Sequence, residues 1–329
     1  MTQYEVVGIG NAVVDVISHA DDSFLDLMGI EKGIMQLIER DRGEMLYGAM
    51  KDRLQTPGGA VANTIAGIGA LGLPTAFIGR VHDDALGRFY AKSMVDGGTD
   101  FVNDPVAGGD LPTSRSMIFV SPDGERSMNT YLGISTDLGP DDVPDDVASA
   151  AKIMFLEGYL FDKDKGKQAF LEASRLTRAA GGKAGIAISD PFCVSRHRDD
   201  FLRMIRDELD FVIGNQAEIL SLFETDDLED ALTRTAAMCG TVVCTRSGDG
   251  VTLIRDGERV DVPVTKVTPV DATGAGDQFA AGFLYGMATD RNLETCGKMG
   301  NICAAEVISH IGPRPATNMI EVFKQQGLV

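Results

Sequence analysis

Apolar positions fall in short runs, and helical stretches separate those runs along most of the chain. Tyr4 to Gly8 opens with an apolar run that ends in Gly-Ile-Gly, which predicts a buried strand entering a turn. Val13, Val14, Val16 and Ile17 predict that Asn11 to Ser18 continues extended. Ala and Ile recur at helical spacing from Ala60 to Leu71, where Gly72 and Pro74 stop the helix ahead of a strand at Thr75 to Ile78. A second helix is predicted over Ala85 to Val95, closed by Gly97-Gly98. Ile153 to Leu156, Ala184 to Ile188, Phe211 to Ile213 and Val242 to Thr245 are further short apolar strands with helical stretches between them. This alternation predicts an α/β fold: a Rossmann-like, mostly parallel sheet with helices on both faces.

Between Thr99 and Gly133 the pattern changes. Pro, Gly and Asp punctuate short strands such as Ser116 to Val120, and Ser121-Pro-Asp-Gly124 is a strong hairpin turn. No internal repeat, low-complexity tract or interdomain linker interrupts the chain. The expectation is one large α/β domain, residues 1–12, 45–98 and 136–329, carrying a small β addition from 13–44 and 99–135.

Composition narrows the function. The 329 residues are 44% hydrophobic, enough for a sizeable core, and Lys plus Arg number 30 against 49 Asp plus Glu, a formal net charge of −19. A surface so acidic repels phosphate arrays, so neither nucleic acid nor an anionic membrane is an expected partner. The five cysteines show no CxxC spacing and the four histidines form no HExxH, which argues against a disulfide framework and a zinc site. Met1 to Gly10 has no basic segment before its apolar stretch, so no signal peptide is expected. Gly58 to Gly79 runs 22 residues without a charge, but its six glycines, Asn63 and Pro74 favour a buried helix and strand over a membrane span. A soluble, cytoplasmic protein is expected.

The richest chemistry lies in Asp271-Ala-Thr-Gly-Ala-Gly-Asp-Gln-Phe-Ala-Ala-Gly-Phe-Leu284. Gly274, Ala275 and Gly276 fall where a helix begins, so their N–H groups and the helix dipole form an anion site. Asp277 in the first turn would be ionised at neutral pH, because an unperturbed Asp has a pKa of about 3.9. An anion site beside a carboxylate suits phosphoryl transfer, the Asp taking a hydroxyl proton. The same residues also describe an ordinary Gly-rich turn with an Asp stabilising a helix start. Gly58 and Gly59 allow close backbone approach to a ligand or a hinge, and Asn63 has the donors and acceptor for a sugar hydroxyl; a plain Gly-rich loop before a helix is the alternative. Asn11 and Asp15 lie on an apolar strand, where a buried carboxylate needs strong hydrogen bonds such as a sugar diol supplies, unless Asp15 faces solvent.

Asp271 to Leu284 closely resembles the C-terminal signature of the ribokinase-like family of carbohydrate and nucleoside kinases. Gly58-Gly59-Ala-Val-Ala-Asn63-Thr64, followed by Gly79 and Gly87, resembles the family's N-terminal signature. The resemblance spans Gly8 to Pro315. It implies sugar contacts from Gly58, Gly59 and Asn63, and turns the small β addition into a lid that closes over substrate. Asn11 and Asp15 are spaced as in the adenosine kinase branch, where Asp15 would accept from ribose hydroxyls. Asn215-Gln-Ala-Glu218 resembles the family's Asn-x-x-Glu motif, in which Glu218 orders water around Mg²⁺. Thr245-Arg-Ser-Gly248 resembles the nucleotide-phosphate loop, Arg126 falls where adenosine kinases place a lid arginine, and Asn301 is an implied nucleotide contact. Asp271 and Thr273 resemble residues near a monovalent-cation (K⁺) site, although Ala316 lacks a hydroxyl that ribokinases often present there. Tyr159, Leu160 and Phe192, beside strand ends, are placed to sandwich a purine or to join the core; Met35, Gln36 and Met128 lie on the expected lid.

The expected activity is ATP- and Mg²⁺-dependent phosphorylation of the 5′-hydroxyl of a purine nucleoside, adenosine first, by a monomer or homodimer. A sugar kinase of the same family, acting on ribose, fructose or 2-keto-3-deoxygluconate, is the nearest alternative, and a catalytically silent sensor is the different-class one. A dinucleotide-dependent dehydrogenase is disfavoured because Val13 stands where the fingerprint needs a third glycine, and no P-loop motif occurs.

Overall fold

The computed structural model describes residues 3–329, so residues 1 and 2 of the expected 1–12 segment lie outside the described residues. Nine strands form the larger sheet. In spatial order they are β14 (Glu258–Val262), β13 (Val251–Arg255), β12 (Thr241–Thr245), β11 (Phe211–Asn215), β10 (Lys183–Ala187), β9 (Ala151–Glu157), β1 (Tyr4–Ile9), β5 (Thr75–Ile78) and β6 (Thr99–Phe101). Pairing is parallel from β12 through to β6, and β13 alone runs against the others, pairing antiparallel with both β12 and β14.

The predicted apolar runs become strands buried on both faces, as a sheet covered by helices requires. Val6 and Val7 are both fully buried yet belong to different clusters, Val6 with Phe77, Phe155 and Phe211 on one face, Val7 with Met154, Leu156 and Ile186 on the other. Two helices matter most for function. Ala60–Ala70 and Ala275–Ala288 pack against each other over the same face, and both begin at the end of the sheet where the parallel strands finish. Open α/β sheets bind their ligands outside those strand ends.

The small sheet has the order β3 (Met35–Leu37), β8 (Arg126–Tyr131), β7 (Ser114–Val120), β2 (Val13–His19) and β4 (Leu54–Gly58). Two of its boundaries differ from the expected ones. β4 lies within 45–98 but belongs to the small sheet, because it pairs antiparallel with β2 through Val13↔Gly58 and Asp15↔Thr56. β6 lies within 99–135 but extends the large sheet by pairing with β5 through Thr75↔Thr99. The helix Arg40–Ala49 crosses the expected 44/45 boundary and packs on β7 and β8. Strand pairing decided these memberships, and it is not encoded in local pattern. Among the described residues no helix is long and apolar enough to cross a membrane.

The passage from β4 into the helix Ala60–Ala70 is tightly constrained. Gly59 has φ +98°, and a Cβ there would come within 2.3 Å of the Asn11 carbonyl oxygen. Gly59→Ala is therefore expected to destabilise the fold by about 2 kcal/mol or more. Urea unfolding measures this, and an unchanged midpoint would remove the constraint.

Candidate active site

Asp277 sits in the first turn of the helix Ala275–Ala288, and its Oδ2 accepts a hydrogen bond from Asn63 Nδ2 at 3.1 Å. Thr64 Oγ1 donates to the Asp277 carbonyl at 3.0 Å, so two residues of the helix Ala60–Ala70 clamp this turn. Gln278, fully buried, ties the same pieces together by donating to the carbonyls of Asn63 and Pro313. Burial pushes the Asp277 carboxyl up to about 7, the nearby Glu157 and Asp15 push the same way, and Asn63 and Arg314 oppose them. The carboxylate expected to be fully ionised at neutral pH is instead poised near it, because surrounding protein displaces part of its water while the residue stays partly exposed. A base tuned close to the working pH is well matched to taking a hydroxyl proton.

Asp15 projects from β2 into the same region, and burial raises it to about 7 against the attraction of Arg126 and Arg314. Its seat is made by Gly58, where a Cβ would lie 2.6 Å from Asp15 Oδ2. The paired glycines thus make room for protein groups, Asp15 and the Asn11 carbonyl, at the junction where β4 enters its helix. Tyr90 fixes the junction by donating its hydroxyl to the Gly58 carbonyl at 3.0 Å.

A third carboxylate underlies both. Glu157, 1% exposed at the end of β9, accepts from Asn11 N at 3.2 Å and Nδ2 at 2.8 Å, and from Val61 N at 3.0 Å. Desolvation raises its pKa and these three donors hold it down. Besides Arg126, the cation facing the group is Arg314, whose Nε lies 3.4 Å from Asn63 Oδ1; desolvation lowers its own pKa, while Asp15 and Asp277 favour its charged form.

On the other side of the Asp277 turn a pocket of about 440 Å³ extends along Thr245, Gly248, Val267, Ala275, Gly276 and Phe279. Gly274 caps the helix with φ +80°, and a Cβ there would meet Pro313 Cα at 2.6 Å. Of the three expected donor amides, that of Ala275 is already bound to the Ala272 carbonyl at 3.2 Å, which leaves the later first-turn N–H groups to an anion. Arg126 reaches across from β8: its Nη1 donates to Thr273 Oγ1 at 2.9 Å and lies 3.0 Å from Asp271 Oδ2, while its Nη2 is buried without a partner. A buried, unpaired guanidinium nitrogen beside a helix start fits the phosphates of a nucleotide.

The pfkB family carbohydrate kinase profile matches residues 27–319. The chain belongs to that family. Its fold neighbours agree. An adenosine kinase from Sinorhizobium meliloti is 45% identical, with TM-score 0.91 over 99% of this chain and 100% of the other. A "probable sugar kinase protein" from Rhizobium etli is 44% identical, with TM-score 0.91 over 100% of both chains. An "uncharacterized sugar kinase" from Archaeoglobus fulgidus is 30% identical over 254 residues, which cover 75% of this chain and 96% of the relative. This pfkB family member is thus a ribokinase-like phosphotransferase that acts on a hydroxyl group, and kinases of this family generally use ATP with Mg²⁺.

Several residues singled out from the sequence are placed differently in this kinase. Asn11 spends its side chain on protein, donating to Glu157 and accepting from Ser135 Oγ at 2.9 Å. Leu160 is 2% exposed within a core cluster, whereas Phe192 is 75% exposed at the start of the helix Pro191–Glu208, so the two do not bracket a base; the partly buried Tyr159 alone faces the acidic site. Asn301 donates to the carbonyls of Val262 and Pro263, which fixes the backbone leading into Val264 and Thr265 of the same pocket. Asn215 and Glu218 cap their own helix reciprocally at 2.9 Å in both directions, with Glu218 7% exposed and raised to about 7 by burial. Asp271 is matched by Arg126, Thr273 and the Gly312 amide, so the side chains of Asp271 and Thr273 do not fit a monovalent cation. Met35 and Gln36 on β3 pair with Met128 and Asn129 on β8, at the small sheet's edge.

Glu157, Arg314, Tyr90 and Gln278 were not legible as site residues. The sole signal for Glu157 was a charged residue ending an apolar strand run, the same pattern that singled out Asp15. Arg314 carried none, because its partners are at least 37 positions away in the chain.

Asp277→Asn is expected to lower kcat by about 10³-fold, since general bases contribute on that order. The raised folded pKa means that ionising Asp277 disfavours the fold as pH rises through 7, because the unfolded group binds fewer protons there. The same variant should therefore unfold about 2–4 °C higher at pH 8 and lose that gain at pH 4, where the native group is neutral. Near-normal turnover, or a pH-independent shift in melting, would remove Asp277 from this role. Arg314→Met should move the acidic limb of the kcat/KM profile upward by roughly one pH unit, because a cation near Asp15 and Asp277 is lost; an unmoved limb would show that Arg314 does not tune them.

Proposed function

We propose that this kinase transfers the γ-phosphoryl group of ATP, with Mg²⁺, to the 5′-hydroxyl of a purine nucleoside, adenosine being the first candidate. The observation that carries the reading is the pairing of two separately seated acidic groups. Asp277 is held by Asn63 at the start of the helix next to the nucleotide pocket, and Asp15 is seated against Gly58 on the small sheet. One suits a hydroxyl that must lose a proton, the other a vicinal diol that must be held. The 45% identity to the Sinorhizobium meliloti adenosine kinase over nearly the whole chain supports the nucleoside.

In this reading the ribose diol donates to Asp15, which must be ionised to accept both bonds. Asp277 takes the 5′-hydroxyl proton as that oxygen forms its bond to the γ-phosphorus, and the bond from that phosphorus to the bridging oxygen of ADP breaks. First-turn N–H groups beyond Ala275, with the free Nη2 of Arg126, stabilise the charge on the transferred group. Glu218 keeps a lone pair on each oxygen for water around Mg²⁺, whose chemistry is to neutralise phosphate charge. Arg126 lies on the small sheet and reaches Asp271 of the large domain, so it spans the gap that a closing lid would seal.

A sugar kinase is the second reading, favoured by two observations. The Archaeoglobus fulgidus relative is described as a sugar kinase, and the aromatic bracket for a purine is reduced to Tyr159. ADP release across adenosine, inosine, guanosine, ribose, fructose and 2-keto-3-deoxygluconate separates the two. We expect kcat/KM for adenosine at least about 10²-fold above every free sugar, the scale that base contacts contribute to discrimination. Turnover confined to a free sugar would discard the purine and retain the Asp277 chemistry.

A further inference from the structure

At the opposite edge of the large sheet, where the parallel strands begin, a pocket of about 340 Å³ is lined by Lys152, Lys183, Arg255 and Arg291, with Asp290 its one carboxylate. Four cations from separate elements meet here in a chain with 30 cations and 49 carboxylates. Lys152, at the start of β9, is accounted for by the protein: its Nζ donates to the Ala288 carbonyl at 2.5 Å, capping the helix Ala275–Ala288, and lies 3.2 Å from Asp290 and 3.8 Å from Glu5. The other three are not so matched. Arg255 makes one bond, from Nε to Thr241 Oγ1 at 3.2 Å, and among the described residues no carboxylate lies within 4 Å of Lys183, Arg255 or Arg291. An anion entering the pocket would meet cations whose charge the described protein groups leave unpaired.

We propose that this pocket binds the phosphate group of a small phosphorylated molecule. Two guanidinium forks and an ammonium suit a tetrahedral dianion with several acceptor oxygens. The volume lies at the lower end of small-molecule sites, about 300–1,000 Å³, and so leaves room for an organic portion against Ile153 and Met287. The helix that carries Asp277 in its first turn carries Met287 in its last, ten residues on, which places Met287 roughly 15 Å along the helix axis from the candidate base. Occupancy here is therefore separate from occupancy of the nucleotide pocket.

Calorimetric titration of the full chain with ribose 5-phosphate and with inorganic phosphate, against chloride at matched ionic strength, tests the assignment. Lys183 and Arg291 are exposed, so Lys183→Ala/Arg291→Ala is expected to fold and to keep wild-type kinase turnover. The wild type should show a phosphate-dependent binding event that weakens at least about tenfold in the double variant. If only ribose 5-phosphate produces it, the organic portion is part of the ligand; if both do, the phosphate suffices. Indistinguishable isotherms for the two proteins, an equal response to chloride, or no binding up to about 10 mM would overturn the proposal. None of these readouts uses turnover, so the result stands apart from the choice of nucleoside or sugar.

Discussion

Gathering three carboxylates at one end of a sheet, Glu157 fully buried and Asp15 and Asp277 partly so, is the constraint around which this kinase is arranged. Asp15, Glu157 and Asp277 come from β2, β9 and the helix Ala275–Ala288, and burial raises all three. Buried acids are tolerable only with hydrogen bonds, a neighbouring cation or a proton. Glu157 receives three donors, Asp277 receives Asn63 and the field of Arg314, and Asp15 has the fields of Arg126 and Arg314 but no hydrogen bond from the described residues. The best-satisfied of them is structural, and the two least satisfied are those assigned to substrate. Unmet hydrogen-bonding capacity is where ligand binding has most to add.

The same accounting explains why two helices begin together. Val61 N, at the start of Ala60–Ala70, is satisfied by Glu157, and Asn63, two residues on, holds Asp277 on the neighbouring helix. Gln278 then locks that neighbour to the Pro313 segment that carries Arg314. A displacement of any one element would leave a polar group unpaired, so the site is rigid on the large-sheet side. The small sheet reaches the same end of the site through Arg126, which pairs with Asp271.

Apolar periodicity was a sound guide to the large sheet because those strands are buried on both faces, and continuous short runs such as Tyr4 to Gly8 have few other solutions. It failed at β4 and β6, whose sheet membership depends on which strand lies alongside. Among site residues, Asp277 and the glycines around it were legible because a helix start confers its chemistry locally. Leu160, expected beside a strand end to contact a purine, is buried in the core instead, because proximity to a strand end does not say which way a side chain points.

What the sequence by itself determined was the class of fold, the Gly-rich helix start with its acid, and the order of the family's two signatures. These are properties of contiguous residues, set by periodicity and backbone conformation. Tertiary structure alone decided the proton affinity of Asp277, the use of Asn11 and Asn63 as internal ties, the pairing of Arg126 with Asp271, and the charge supplied by Arg314. Each depends on desolvation and on groups far apart in the chain. Neither exists until the sheet and its helices have closed around them.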